Sequence, residues 1–159
     1  ASAGGLLAPD SAWLLQRSWP TLALRVEAQQ ANALALAEGL RAHVGEGRLA
    51  SVSYPGLDDH PDRAVARRQM QGGGAVLAFE LEGGLPAVLS ALDRLQVVAR
   101  AASLGGVESL ATVPAFTTHA PLTPQERARA GIGDGLMRVS VGLEPVDRLL
   151  EDLLQAIQG

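Results

Sequence analysis

Arg138 is the single charge in an otherwise apolar run, Gly135, Leu136, Met137, Arg138, Val139, Ser140, Val141, Gly142. Alternation puts Met137, Val139 and Val141 on one face of a strand and sends Arg138 and Ser140 to the other. A guanidinium on a rigid strand suits two-pronged capture of a carboxylate. Some thirty residues earlier, Ser103, Leu104, Gly105 and Gly106 form a glycine turn, where backbone can approach a ligand without interference from a Cβ. Taken together, the two pieces read as the carboxylate end of an amino-acid site. Each has a plainer reading alone: a strand arginine in a salt bridge, and an ordinary turn.

The remaining polar residues offer less chemistry. His43, His60 and His119 are far apart and lack metal-ligand spacing; His43 reads as a surface residue and His119 as structural. Asp58, Asp59 and His60 fit a solvated turn better than an acid/base cluster. Arg63, Arg67 and Arg68 read as a solvated basic helical face, and Trp13 and Trp19 as packing or interface residues. The turn at Gly105 has neither a phosphate-loop lysine nor the GxGxxG order of a nucleotide site. No cysteine is present, so there is no thiolate nucleophile, no thiolate metal site and no disulfide framework. All thirteen basic residues are arginines, so no side-chain amine exists here to form a Schiff base.

A chain of 159 residues, 47% hydrophobic but only 3% aromatic, can bury one core built mainly of Leu, Val and Ala. Its net charge of −4, with no basic run, argues against nucleic acid and anionic membrane as partners. No apolar stretch is long enough for a bilayer, and the first eight residues lack the charged start of a signal peptide. A cytoplasmic location is the expectation. The abrupt start at Ala1 reads as the interior of a longer chain.

The elements that position the site follow from periodicity and punctuation. Asp10 is expected to cap a helix through Arg17, and Pro20 to kink it into a second helix over residues 21–43. Strands are expected over 49–54, 75–82 and 96–100, besides that of Arg138. Helices are expected over 62–71, 85–95 and 145–157, the last with Val146, Leu149, Leu150, Leu153 and Ile157 on one stripe. Thr123 with Glu126 has capping-box spacing ahead of a short helix to Ala130. The fold class is therefore α/β (α+β): a small, mainly antiparallel sheet of about four strands covered by helices, preceded by a long kinked helix. Residues 1–44 form the kinked helical region and 45–159 the α/β unit. The first helices have little obvious cover within the chain.

From Ser103 onward, and in many ordered blocks before it, the sequence resembles the Cys/Met-metabolism, or transsulfuration, family of pyridoxal-phosphate (PLP) enzymes. The blocks include Trp13 to Arg17, Thr21 to Arg25, Tyr54 to Leu57, His60 with Pro61, Ala66 to Met70, Phe79 to Leu81, Ser103 to Leu110, Thr118 to Ala120 and Arg138 to Glu144. The resemblance implies the C-terminal domain of a fold-type I PLP enzyme, in which residues 1–44 would be an interdomain helix region. It implies that Arg138 holds the substrate α-carboxylate, with Ser103, Leu104 and Thr118 around it and the Ser103 hydroxyl near the catalytic amine. It also implies a missing N-terminal PLP-binding domain, carrying the Schiff-base lysine and the other cofactor contacts, and a tetramer of close dimers. Ala102 stands where members acting on cystathionine often have glutamate, which implies a less polar substrate tail and favours a γ-lyase or a thiol-using synthase. Gly73, Gly74 and Ala75 depart from the family pattern without an assigned role.

Two functions follow as expectations. The chain is the substrate-carboxylate-binding part of a PLP-dependent C–S lyase or transferase acting on sulfur amino acids, and inactive alone because it lacks lysine. The alternative is a stand-alone, non-catalytic amino-acid-binding or regulatory α/β module.

Overall fold

The computed structural model describes residues 5–159; the expectations for the small, apolar stretch before them lie outside the described residues. Helix α1 (Pro9–Ser18) starts on proline, with Ala8 at the cap and no side-chain cap bond. Asp10 therefore sits inside the first turn, where its charge complements the helix dipole, rather than capping the helix as expected. A 3-10 turn at Trp19–Thr21 carries Pro20 and bends the chain into α2 (Leu22–Arg41). The proline has no N–H for the ladder, so the helix is interrupted where expected.

The two halves of α2 differ. Ala33, Leu36, Ala37 and Leu40 are fully buried, whereas Leu22, Leu24 and Val26 are exposed, as are Trp13, Leu14, Leu15 and Trp19 on α1 and its bend. The first helices thus do find cover at their far end. Only the near end lacks it.

Five strands form one sheet in the order β1-β2-β5-β4-β3, where β1 is Leu49–Ser53, β2 Val76–Leu81, β3 Ala99–Arg100, β4 Leu110–Thr112 and β5 Leu136–Ser140. All neighbours are antiparallel except β3 and β4. The sheet matches the expected mainly antiparallel architecture, with one strand more. The strand expected over 96–100 shrinks to two residues, because Gln96, Val97 and Val98 give their N–H groups to a side chain instead. Strand β4 was not anticipated, since three residues are too few to show alternation.

Helices α2, α4 (Gly84–Arg94) and α6 (Val146–Gln158) cover one face. There Leu77, Phe79, Met137, Val139 and Ala111 meet Val88, Leu149 and Leu153 in a single core. Each large apolar side chain so buried contributes about 1.5–3 kcal/mol. Two short helices complete the fold. Helix α3 (Arg63–Gln69) carries the arginine patch, and α5 (Pro124–Arg129) opens with the expected capping box between Thr123 and Glu126.

The arginine patch is the solvated face expected of it at Arg67 and Arg68, which are exposed, while Arg63 is half-buried. Arg63 donates to the Pro55 carbonyl (3.3 Å) and, together with Arg67, to the Asp58 carboxylate at the neighbouring turn. Asp59 of that turn pairs with Arg41 at 3.1 Å. No helix among the described residues is long and apolar enough to cross a membrane.

Candidate carboxylate-binding site

The strand register decides what surrounds Arg138. Ala78 on β2 and Thr112 on β4 lie directly opposite it, so the three side chains share the face that the helices leave open. Ser140, two residues on, points the same way. This face is crossed by the connection between β3 and β4. Parallel neighbours ordinarily need a crossover of about a dozen residues or more, usually with a helix. Only residues 101–109 are available here, so the link is a bare loop laid over the sheet. Gly105, at φ +80°, supplies the left-handed turn this requires.

The loop and the strand are joined by hydrogen bonds. Arg138 Nη2 donates to the Ser103 carbonyl at 2.8 Å, and the Gly105 N–H donates to Ser140 Oγ at 3.0 Å. Arg138 and the serine-diglycine bend therefore do share one corner. Among the described residues Arg41, Arg63, Arg67, Arg100 and Arg127 have carboxylate partners, while Arg138, like the remaining arginines, has none. Its Nε is shielded from water and has no acceptor. A buried N–H without a partner costs about 1–3 kcal/mol. A half-buried cation with most of its donors unspent is what an incoming carboxylate can satisfy.

The other residues singled out from sequence are less closely drawn in. Ala102, Ser103 and Leu104 are exposed at the crest of the loop, and Ser103 meets Arg138 through its backbone carbonyl. Thr118 is exposed, and its hydroxyl shares a hydrogen bond with the ring of adjacent His119 (2.9 Å) rather than with anything on β5. Its neighbour Thr117, exposed as well, shares a hydrogen bond between hydroxyls with buried Thr112, the residue opposite Arg138. His43 pairs with Glu46, and the His60 ring accepts the Asp62 N–H, each within its own turn. No group of three His, Asp or Glu among the described residues is placed to hold a metal.

Sequence reasoning missed the residues that hold the loop down. Gln29 of α2, almost fully buried, donates to the Gly106 carbonyl at 2.6 Å. Asn32 donates to the carbonyls of Gly142 and Glu144. Glu144 accepts from the Ser109 N–H (2.7 Å) through one oxygen and from the Ser109 hydroxyl (2.8 Å) through the other; that hydroxyl in turn accepts the Gly142 N–H. No local pattern links positions so far apart. The one available sign was three polar residues, Gln29, Gln30 and Asn32, within the expected helix.

The approach to the loop is fixed by Asp152 on α6. Its buried carboxylate accepts the N–H groups of Gln96, Val97 and Val98 at 2.8–2.9 Å, and Gln155 Nε2 at 3.1 Å. Burial acts to raise its pKa. The donors of Val98, Gln96, Val97 and Gln155 together outweigh that, so the group lies below the ordinary aspartate value.

Fold and site together define a class: a helix-backed, mainly antiparallel α/β unit with a guanidinium on its open face. The chain belongs to the Cys/Met metabolism PLP-dependent enzyme family, whose model matches residues 1–158. It is 46% identical to an L-methionine gamma-lyase of Pseudomonas putida, covering 98% of this chain and 38% of that protein. It is 43% identical to an O-succinylhomoserine sulfhydrylase of Pseudomonas aeruginosa, again over 98% and 38%. Among solved structures it is similar to a cystathione gamma lyase of Micromonospora echinospora, with a TM-score of 0.91 and 42% identity, covering 99% of this chain and 40% of that one. The chain thus spans about two fifths of the length of these relatives. The family depends on PLP, yet the sequence has no lysine to carry it covalently. Arg138 and the loop offer N–H donors suited to an anion, and this sequence has no side-chain amine for the cofactor's aldehyde.

Proposed function

We propose that this chain is the C-terminal, substrate-carboxylate-binding part of a PLP-dependent enzyme that makes or breaks C–S bonds of sulfur amino acids. The observation that carries the reading is Arg138: a guanidinium on a central strand, without a carboxylate partner, braced by the Ser103 carbonyl. Bound in the whole enzyme, PLP supplies the electron sink for carbanion chemistry on the amino acid. This chain's share is to bind and orient. Arg138 grips the α-carboxylate, and the loop at Ser103 and Leu104 forms the rim beside it. Ala102 offers a methyl to the substrate tail, which favours a less polar tail. Held at one end, the amino acid loses the rotational freedom that would otherwise raise the barrier.

Residues 1–44 act as a connector and 45–159 as the substrate-binding unit. The exposed Trp13, Leu14, Leu15 and Trp19 suit contact with material beyond this chain, either the cofactor-binding part or another subunit of a tetramer, and speak against a stand-alone module. Without a lysine the chain is inactive alone.

Arg138→Ala in the whole enzyme tests the assignment. Truncating a charged hydrogen bond of about 1.5–3 kcal/mol raises KM for the amino acid about ten- to a hundredfold. Arg138→Lys recovers little, because a point charge lacks the fork. An unchanged KM in Arg138→Ala discards the assignment.

A further inference from the structure

The loop over Arg138 has little apolar burial to hold it. Leu104 and Val107 are exposed, and so are the backbone positions from Ala102 to Gly105. What shapes it is a set of polar clasps on its inner side, and two of these come from elements remote in sequence. Gln29 reaches from α2 to the Gly106 carbonyl, while Glu144, just past β5, grips Ser109 with both carboxylate oxygens. Leu143 N–H adds a bond to the Val107 carbonyl at 2.8 Å. Upstream of these points the chain runs back to Ser103, whose carbonyl is the acceptor bracing Arg138.

We infer that Gln29 and Glu144 are positioning residues for the carboxylate site: neither reaches substrate, and both act by fixing the loop carbonyl against which the Arg138 guanidinium is oriented. The inference rests on the reading of Arg138 given above. A guanidinium binds a carboxylate well only in plane, and its plane is set by what its other N–H groups already hold. Release of the loop frees Ser103, and Arg138 then spends orientational freedom on binding that is now spent in folding. Because Gln29 and Asn32 both lie on α2, the bent helical arm is tied to the site by two side-chain amides.

The experiment uses the whole enzyme in Gln29→Leu, Glu144→Gln, Arg138→Ala and Gln29→Leu/Arg138→Ala forms. Leucine has nearly the volume of glutamine in a buried place, so the fold is retained; Glu144→Gln keeps the shape but offers an amide N–H where Ser109 needs an acceptor. The probe is L-norleucine, an amino acid without a sulfur leaving group, its Kd read from cofactor absorbance. Amide hydrogen exchange across residues 103–109 is followed in parallel on the cofactor-free protein. Loss of one neutral hydrogen bond predicts a Kd raised about two- to tenfold in Gln29→Leu, with faster exchange in the loop. Glu144→Gln moves both in the same direction. In the Arg138→Ala background, Gln29→Leu adds no further change, since the residue it works through is gone.

A Gln29→Leu effect that persists undiminished beside Arg138→Ala overturns the inference, because the residue then acts by some other route. So does an unchanged Kd in both Gln29→Leu and Glu144→Gln, provided Arg138→Ala weakens binding. If Arg138→Ala leaves Kd unchanged, the carboxylate reading itself has failed, and the inference falls with it.

Discussion

Replacing Asp152 with alanine asks how much one buried carboxylate contributes to the approach to the site. Three backbone N–H groups lose their acceptor. Val98 is 3% exposed, so its N–H bears the full desolvation penalty of about 1–3 kcal/mol. Gln96 and Val97 are exposed and recover water, so each forfeits a net hydrogen bond of about 0.5–1.5 kcal/mol. Alanine is the better helix former by about 0.5 kcal/mol, which leaves a loss of about 2–5 kcal/mol. In urea, with a slope of about 1–3 kcal/mol/M, the unfolding midpoint falls by about 1–2 M. Amide exchange at Val98 and Ala99 accelerates about thirtyfold or more, ahead of the rest of the sheet.

The pH dependence carries the sign. A folded pKa held below the unfolded one gives stability that is present above the unfolded value and lost as pH falls through the folded value. The difference between wild type and variant is therefore full at neutral pH and narrows below about pH 4. A loss under 0.5 kcal/mol at neutral pH, or a difference that stays constant into strong acid, refutes the reasoning.

Two further outcomes follow from the same geometry. A Cβ at Gly142 would overlap the Val107 carbonyl oxygen and crowd the Glu144 carboxylate. Gly142→Ala should therefore destabilise the protein by about 1–3 kcal/mol and raise KM for the amino acid in the whole enzyme; a variant with wild-type stability and KM would show that the loop yields at no cost. Tyr54, the only tyrosine of this chain, donates to the Gly74 carbonyl, and burial raises its pKa above the ordinary 10.0 while nearby Arg63 opposes the rise. Its contribution to stability is full below that value and fades as pH climbs through the folded pKa. Ultraviolet titration of this chain should give a midpoint above 10.0 that rises further in Arg63→Ala; a midpoint at or below 10.0 contradicts it.

How much was legible beforehand varies with the distance over which each feature is made. The alternation of Leu77, Phe79 and Leu81, and of Met137 and Val139, predicted the buried face of two central strands, because side-chain direction in a strand is a local property. The Thr123 and Glu126 spacing predicted its capping box for the same reason: both partners lie within one turn. Asp10 misled because Pro9 already starts the helix, and a residue inside the first turn cannot also cap it. At the site, Arg138 and Ser140 lie on the face that alternation assigns them, whereas nothing in the sequence marked Thr117 as the residue that meets Thr112. Only the fold of the 3-10 turn ahead of Thr117 and Thr118 sends the first hydroxyl to Thr112 and the second to the His119 ring.

The sequence by itself determined the binary pattern: which stripe of α6, which faces of β2 and β5 and which half-turns would be apolar, and that the chain's cations are all guanidinium groups. It could not determine that β3 and β4 lie parallel, that their short connection must therefore cross the open face, or that Gln29 and Glu144 would hold it there. Those are pairings between groups beyond the reach of any one element's periodicity. Hydrophobic periodicity reports which side of an element is buried but carries no information about which element it meets. The grip on Arg138 depends on that second kind of fact, and only the folded chain supplies it.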